Sequence, residues 1–294
     1  MSSLTAVERQ LWAGPPGSGK TTRLFSEFAA ALDTPGIDPA HVVLILPNAE
    51  TVRVATEALL ALRGGRAFAL SSLIPLSRLA IECLDPAPTV LSSLSQSLLI
   101  RDALQQIHNA SNAAWFDPQH AGVRIAVAEY IAECKGAGFL PDAAETLGLA
   151  LPGELDWPTF PWSRLDQLAS ARHRSLLAHF RQVWARYETL KARDGFHGYD
   201  TEDLCLQACA AIEALPLDDR YDWIGIDGFT EFTALQWRLL QGLMRRARVV
   251  RLTLSTDLAE SPWFLRKEDP RYWIAAAAQD PQHAALTLTG FGDP

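Results

Sequence analysis

The residue types and spacing near the N-terminus are those of a phosphate-binding loop. Residues 14–21 fit the pattern G-x-x-x-x-G-K-[ST], and with the next residue the loop reads Gly14, Pro15, Pro16, Gly17, Ser18, Gly19, Lys20, Thr21 and Thr22. In such a loop, successive backbone N–H groups surround phosphate oxygens, and the following helix adds the positive end of its dipole. Lys20 would reach the β- and γ-phosphates, and the Thr21 hydroxyl would bind Mg²⁺. The segment therefore predicts a site for a nucleoside triphosphate with Mg²⁺.

A carboxylate far along the chain fits the other half of such a site. Asp227 follows the apolar run Trp223–Ile226, which is typical of a buried parallel strand. Proteins with a phosphate-binding loop hold their Mg²⁺ with a carboxylate at the end of a nearby strand. We therefore expect Thr21 and Asp227 to share one Mg²⁺, with Lys20 and Asp227 as the residues that act on the phosphates.

The residues after this carboxylate bear on catalysis. A general base must deprotonate the water that attacks the terminal phosphate, and Gly228 has no side chain for that task. Glu231 could act instead if the turn formed by residues 228–230 folds back toward the phosphates. We therefore expect hydrolysis to be slow or absent.

Two parts of the chain alternate between strand and helix patterns. Continuous apolar runs predict strands, and apolar positions at helical spacing predict helices. The predicted strands are residues 10–13, 41–46, 67–70, 223–226 and 249–254, and the predicted helices are residues 21–32, 49–62 and 234–246. Thr233 and Gln236 predict a capping box at the start of the last of these helices. Such alternation favours a parallel sheet with helices on its faces. We expect one α/β domain from residues 1–72 and 215–260, with the loop and Asp227 at strand ends.

Between these two parts, strand patterns nearly vanish and helical periods take over. The helical runs are residues 91–108, 123–134 and 164–191. We therefore expect residues 73–214 to form a helical subdomain inserted into the sheet domain. Residues 261–294 form a C-terminal segment in which residues 285–288 fit an edge strand.

The composition is that of an ordinary globular protein, with 294 residues of which 48% are hydrophobic and 20% charged. The net charge of −8 argues against a protein that covers duplex DNA through a general positive field, so any contact with nucleic acid must be local. Four cysteines without metal-ligand spacing indicate neither a disulfide framework nor a zinc site. The lack of long apolar runs and of a signal-peptide pattern predicts a cytoplasmic protein without a membrane segment.

The wide separation of Lys20 and Asp227 resembles that in superfamily 1 helicases, which insert a helical subdomain between these motifs. Residues 227–236 (DGFTEFTALQ) are similar to the DEFQDTNxxQ motif of that superfamily, and residues 198–204 (GYDTEDL) to its DFDDL segment. More specifically, the chain resembles the AddB (RexB)-type subunit of bacterial AddAB helicase-nucleases. The segments that carry this resemblance are GPPGSGKTT, LILPNAET, LSSLIPLSRLA and IDGFTEFT.

This resemblance implies a RecA-like P-loop NTPase fold with a large helical insertion, and ATP as the nucleotide. It implies a subunit that binds a single-stranded or duplex DNA end in double-strand break repair and recombination, beside an AddA-like helicase-nuclease subunit that supplies the motor. Ser71, Ser72 and Arg78 match a segment implied to contact single-stranded DNA. The resemblance also implies that residues 261–294 are truncated or lead to a second domain, and that this chain holds no nuclease active site.

Departures from the superfamily motifs weaken the expected coupling between ATP and DNA. Gly228 stands in place of a glutamate and Thr230 in place of a glutamine. The strand at residues 249–254 leads into Ser255, Thr256 and Asp257, where an active motor has a Gly-Asp-x-x-Gln pattern. Unwinding also needs two motor domains that close on ATP. We therefore expect ATP binding with weak or no hydrolysis, and no unwinding by this chain alone.

Two alternatives remain open on the sequence alone. A free-standing P-loop phosphotransferase would use the helical region as a lid over its substrate, and it would need a second basic cluster facing Lys20. A degenerate P-loop scaffold would bind a partner protein and no nucleotide. Comparing nucleotide binding by the wild type with that by Lys20→Ala would identify the scaffold.

Overall fold

The structure, a computed structural model, describes residues 8–111, 117–137, 170–192, 198–216, 221–255 and 286–290. The chain divides into two compact units: unit 1 consists of Met1–Glu82 with Ile212–Pro294, and unit 2 of Cys83–Ala211. The sequence predicts the corresponding boundaries at residues 72/73 and 214/215. The predicted C-terminal segment, residues 261–294, lies outside the described residues except for Leu286–Gly290.

Helices and strands alternate at both ends of the chain and helices dominate its middle. In chain order, the elements are β1 (Glu8–Gly14), α1 (Lys20–Leu32), β2 (Val42–Leu46), α2 (Ala49–Leu62), β3 (Leu73–Pro75), α3 (Leu76–Glu82), β4 (Thr89–Val90), α4 (Ser93–Ser111), α5 (Ala121–Gly136), α6 (Ala171–Lys191), β5 (Gly198–Tyr199), α7 (Thr201–Ala214), β6 (Tyr221–Ile226), α8 (Ala234–Met244), β7 (Ala247–Ser255) and β8 (Leu286–Gly290).

Unit 1 is built on one sheet with the strand order β3-β2-β6-β7-β1-β8, in which every neighbouring pair is parallel. This confirms the α/β class with a parallel sheet. The register places Gly14 of β1 opposite Ser255 of β7, and Ile226 of β6 opposite Leu252 of β7. Only β7 therefore separates the strand that leads into the glycine loop from the strand that leads into Asp227, and all three strands end at one edge.

A hydrophobic core fixes the first helix to this sheet. β2 is buried at all five of its positions, and α1 buries Leu24, Phe25 and Phe28, which recur at helical spacing. These side chains pack with Trp12 of β1 and Trp223 of β6. Each large apolar side chain buried in this way contributes about 1.5–3 kcal/mol. Because α1 begins directly after the glycine loop, this packing also fixes the loop at the sheet edge.

The third strand differs from its predicted position. The sequence predicts it at residues 67–70, whereas β3 is Leu73–Pro75 and follows a 3-10 turn at Leu70–Ser72. Ala67 and Ala69 are exposed, while Leu73 and Ile74 are buried. The strand forms where the larger apolar side chains reach the core, because alanine offers little area to bury.

Two local predictions about unit 1 are confirmed. Thr233 and Gln236 form a capping box at the start of α8, in which each side chain bonds the backbone N–H of the other residue. At the other end of the chain, β8 pairs with β1 at the edge of the sheet.

Unit 2 is mainly helical in its described residues. α4, α5 and α6 lie within the predicted helical runs or overlap them, and they share one core whose largest members are Ile100, Leu104, Ile131, Phe180, Trp184 and Tyr187. β4 and β5 form a two-stranded parallel ladder that the sequence pattern does not predict. Within the described part of the chain, no helix combines the length and apolar character needed to cross a membrane.

Unit 2 also encloses five charged side chains, which we call the ionic cluster: Lys135 of α5, Glu188 and Lys191 of α6, and Asp200 and Asp203 at the start of α7. Each is at most 4% exposed. The Nζ atom of Lys135 lies 2.7 Å from Glu188, 2.6 Å from Asp200 and 2.7 Å from Asp203. Lys191 contacts the same three carboxylates. The cluster thus joins three elements through buried ion pairs.

The formal charges of the ionic cluster do not cancel, because three carboxylates face two ammonium groups. Burial, with Asp200 beside it, raises the pKa of Asp203 to about 6 against the influence of the two lysines. Burial acts on Asp200 too, but Lys135 and Lys191 outweigh it and hold the pKa of Asp200 well below its usual range. The three carboxylates are close enough together to hold a metal ion, but the two ammonium groups already neutralise most of their charge.

Candidate functional site

The loop between β1 and α1 has a backbone that glycine adopts readily and other residues do not. Gly17 and Gly19 both have φ of +84°, in the left-handed region. Gly19 is also the N-cap of α1 and has no side chain that could bond the first N–H groups of the helix. Those N–H groups are therefore suited to bind an anion, as in anion sites at helix N-termini.

Much of this loop faces solvent. Gly14 is buried, Pro15 and Ser18 are half-buried, and the exposed residues are Pro16, Gly17, Gly19, Thr21 and Thr22. The backbone turns tightly, since the N–H of Ser18 donates to the carbonyl oxygen of Pro15 at 3.3 Å. A ligand can thus reach the loop from outside without displacing core residues.

Lys20 lies inside the loop rather than in solvent. Its Nζ atom donates to the carbonyl oxygens of Gly14 and Pro15, each at 2.8 Å, and to the Ser18 hydroxyl at 3.0 Å. Its side chain is buried. Burial lowers the pKa of the ammonium group, and the nearby carboxylate of Asp227 partly opposes that shift. The positive charge therefore stands at the centre of the loop, where a phosphate group would bind.

The structure brings together Thr21 and Asp227, which lie 206 positions apart in the sequence. The Thr21 hydroxyl donates to Oδ1 of Asp227 at 3.1 Å. Asp227 directly follows β6 and is 6% exposed, and its backbone N–H donates to the carbonyl oxygen of Ile45 in β2 at 3.2 Å. The two side chains meet because β1 and β6 run parallel and end at one edge of the sheet.

This pair of oxygens fits a magnesium ion. Mg²⁺ prefers oxygen ligands in octahedral geometry at about 2.0–2.1 Å, so ligands in adjacent positions lie about 3 Å apart. The Thr21 hydroxyl lies 3.1 Å from Oδ1 of Asp227, which places the hydroxyl and the carboxylate close enough to serve one ion. Among the residues that the structure describes, Oδ2 of Asp227 accepts no hydrogen bond and is left for a metal ion or for its water shell.

Sequence reasoning missed a third member of this site. Thr253 of β7 is 3% exposed, and its hydroxyl donates to the same Oδ1 of Asp227. The sequence holds a signal for it, because Thr253 is a polar residue between Leu252 and Leu254 in a strand predicted to be buried. A buried hydroxyl needs a hydrogen-bond partner, but the identity of that partner depends on the strand order.

The position after Asp227 is shaped for glycine. Gly228 has φ of +80°, and a Cβ atom there would lie 3.3 Å from Cδ of Pro47. Glu231, the alternative base, is exposed and makes no hydrogen bond or ion pair with the part of the chain that the structure describes. The described geometry therefore places neither residue as a base at the loop.

Ion pairs tie the helix that carries Thr21 to the sheet. Arg251 of β7 is buried, and it contacts Glu27 of α1 at 2.7 Å and Glu8 of β1 at 2.8 Å. The guanidinium group of Arg23 lies 4.5 Å from the ring centre of Trp12, a distance at which a cation and an aromatic ring attract. These contacts hold α1 in place beside β1 and β7.

One implied DNA contact does not fit the structure. Ser72 is 1% exposed, and its hydroxyl donates to the carbonyl oxygen of Pro39 at 3.1 Å. Its side chain is thus committed to the core and cannot contact DNA at the surface. Ser71 and Arg78 are exposed, and Arg78 pairs with Glu82 at 3.1 Å along α3.

No family model matches the chain, and no curated protein matches it. The proposal below therefore rests on the residues of the site and their geometry, and on the resemblance of the sequence motifs.

Proposed function

We propose that this chain is an ATP-binding, helicase-like region of a DNA end-processing helicase-nuclease subunit of the AddB type. In this proposal unit 1 is a RecA-like P-loop domain, and unit 2 is the helical subdomain inserted into it. One observation carries the nucleotide part, the hydrogen bond between Thr21 and Asp227 at the edge of a parallel sheet. The resemblance of the sequence motifs carries the DNA part.

The loop would hold the β- and γ-phosphates with its backbone N–H groups and with Lys20. Lys20 now bonds the neutral carbonyl oxygens of Gly14 and Pro15, and it would exchange them for charged phosphate oxygens. That exchange is favourable, because the ammonium group then faces negatively charged oxygens in place of neutral ones. Mg²⁺, held by Thr21 and Asp227, would neutralise charge on the phosphates.

ATP would act mainly as a structural or regulatory ligand in this chain. Hydrolysis needs a base within hydrogen-bond reach of the attacking water. The backbone at Gly228 disfavours a side chain, and among the described residues Glu231 makes no hydrogen bond or ion pair that would hold it at the loop. The bound nucleotide would therefore turn over slowly.

DNA contact by this region would be local, because the net charge is −8. The proposed ligand is a single-stranded or duplex DNA end, and the proposed partner is an AddA-like helicase-nuclease subunit in double-strand break repair. Binding through a few phosphate contacts would weaken as the salt concentration rises.

A titration with a fluorescent ATP analogue and Mg²⁺ tests the nucleotide site. We expect the wild type to bind and Lys20→Ala to bind about 10- to 100-fold more weakly, since hydrogen bonds to charged groups contribute about 1.5–3 kcal/mol. Arg53→Ala is the matched control, because Arg53 is an exposed cation on α2 whose partners in the described part of the chain, Glu50 and Glu57, lie on the same helix. Absence of binding in both the wild type and Lys20→Ala would favour the scaffold alternative.

Phosphate release measured with and without single-stranded DNA tests the inference of slow turnover. We expect release far below that of a translocating motor under both conditions. Rapid hydrolysis stimulated by DNA would contradict the argument from Gly228, while leaving the nucleotide site in place.

A further inference from the structure

Thr253 is a buried polar residue near the C-terminal end of β7. Leu252 and Leu254 flank it in β7 and are buried with it, and Thr253 itself is 3% exposed. Its hydroxyl donates to Oδ1 of Asp227, the oxygen that also accepts from Thr21. Hydroxyl groups from a helix and from a strand therefore converge on one carboxylate oxygen.

Packing alone does not account for a threonine at this position. Apolar β-branched residues fill buried strands well, and burying a hydroxyl is costly unless it makes a hydrogen bond. Within the described residues, the side-chain hydroxyl of Thr253 makes one hydrogen bond, and its partner is Asp227. What this position gains from threonine is thus a contact with the carboxylate.

We propose that Thr253 is a positioning residue for Asp227, an inference that rests on the proposed nucleotide site. Thr21 belongs to the start of α1, beside the loop that a nucleotide would contact. Thr253 belongs to a strand paired on both sides, by β1 and by β6. The bond from Thr253 therefore fixes the carboxylate to the sheet before any nucleotide is bound.

The orientation that Thr253 gives to the Asp227 carboxylate favours metal binding. With Oδ1 bonded by Thr253 and the backbone N–H of Asp227 bonded to Ile45, the carboxylate has little freedom left to lose when a metal ion binds. Groups held in their productive geometry by surrounding hydrogen bonds bind more tightly than mobile ones. Thr253 thus acts on the Mg²⁺-dependent part of nucleotide affinity and not on the phosphate contacts of Lys20.

The test measures the dissociation constant of a fluorescent ATP analogue with Mg²⁺ and with EDTA. The ratio of the two constants gives the enhancement by Mg²⁺. We expect Thr253→Val, which keeps the shape of the side chain and loses the hydroxyl, to reduce this enhancement about tenfold. Removing the hydrogen-bond partner of a metal-binding residue typically weakens metal binding by at least about that factor. Its affinity in EDTA should stay within about twofold of wild type, and Thr253→Ser, which restores the hydroxyl, should recover the enhancement.

Variants at Asp227 show whether the effect passes through the carboxylate. In the Asp227→Asn background, Thr253→Val should cause no further loss of enhancement, because the two residues act as one unit. If Thr253→Val does not fold, as judged by circular dichroism, Thr253→Ala carries the same comparison with Thr253→Ser.

The possible outcomes separate the two proposals. An unchanged enhancement in Thr253→Val, or equal losses in EDTA and in Mg²⁺, overturns the role of Thr253 while nucleotide binding stands. Binding by the wild type without any enhancement by Mg²⁺ also overturns it. Absence of nucleotide binding by the wild type overturns the proposed function itself, and the role of Thr253 falls with it.

Discussion

Replacing Lys135 by methionine removes one of the two cations of the ionic cluster and keeps a side chain of similar length. Lys135 is 3% exposed and contacts three carboxylates at 2.6–2.7 Å. Its loss leaves Lys191 alone against Glu188, Asp200 and Asp203, all buried. Removing one partner of a buried ion pair costs about 3–5 kcal/mol, because the remaining charge stays buried without compensation. We expect Lys135→Met to lower the free energy of unfolding by that amount.

The assay is denaturant unfolding followed by circular dichroism, with thermal unfolding in parallel. A loss of about 3–5 kcal/mol corresponds to a fall in melting temperature of roughly 6–20 °C for a protein of this size class. Asp203→Asn added to Lys135→Met should restore part of the stability, because it removes one uncompensated charge.

A matched control isolates the effect of burial. Arg53→Met removes an exposed cation whose distances to Glu50 and Glu57 are equally short, 2.6 Å each, and exposed ion pairs contribute little. We expect this variant to unfold close to wild type. Equal stability of Lys135→Met and Arg53→Met would refute the role of burial, since the two sites differ in burial but hardly in the N···O distances of their ion pairs.

Two further predictions follow from the geometry. Asp203→Asn should remove a pH dependence of stability. The pKa of Asp203 is raised to about 6 in the folded state, above a value of about 3.9 in the unfolded chain. The stability that Asp203 contributes through this difference is therefore present below pH 4 and is lost as the pH rises to 6. Denaturant midpoints measured from pH 4 to pH 6 give the change of stability with pH. The same change in wild type and in Asp203→Asn would contradict this role of Asp203. Gly228→Glu should lower stability by about 1–2 kcal/mol, because its left-handed backbone disfavours a side chain, and should not speed phosphate release. A large gain in release would show that the missing base is the sole obstacle.

Local patterns sufficed to predict most of what positions the candidate site. The bounds of α2 and the capping box at Thr233 follow from helical spacing and cap residues, whose effects extend over a single turn. Strands β2 and β6 follow from continuous apolar runs. The association of Thr21 with Asp227 was predictable because a recognised loop motif requires a carboxylate, and Asp227 ends a predicted strand.

The features that sequence reasoning missed depend on contacts between distant residues. Thr253 gains its role from a strand order that places β7 between β1 and β6, and no periodicity encodes that order. Asp200 and Asp203 were identified only as part of a motif, since nothing in the sequence shows that Lys135 and Lys191 approach them. The shift of β3 to Leu73–Pro75 has the same origin, because it depends on which side chains become buried when this segment pairs with β2.

The strand order also explains why the site needs a residue like Thr253. Neighbouring strands lie about 4.8 Å apart, so β1 and β6 are separated by roughly 10 Å with β7 between them. Asp227 must therefore extend across the end of β7 to meet Thr21. With an apolar side chain at that end of β7, the carboxylate would have no hydrogen-bond donor from this strand. A threonine at that position of β7 supplies a hydroxyl donor, which fixes the carboxylate without adding a charge. An aspartate or lysine there would change the net charge next to Asp227, and a valine would leave the Thr21 hydroxyl as the one side-chain donor to Oδ1 of Asp227 among the described residues.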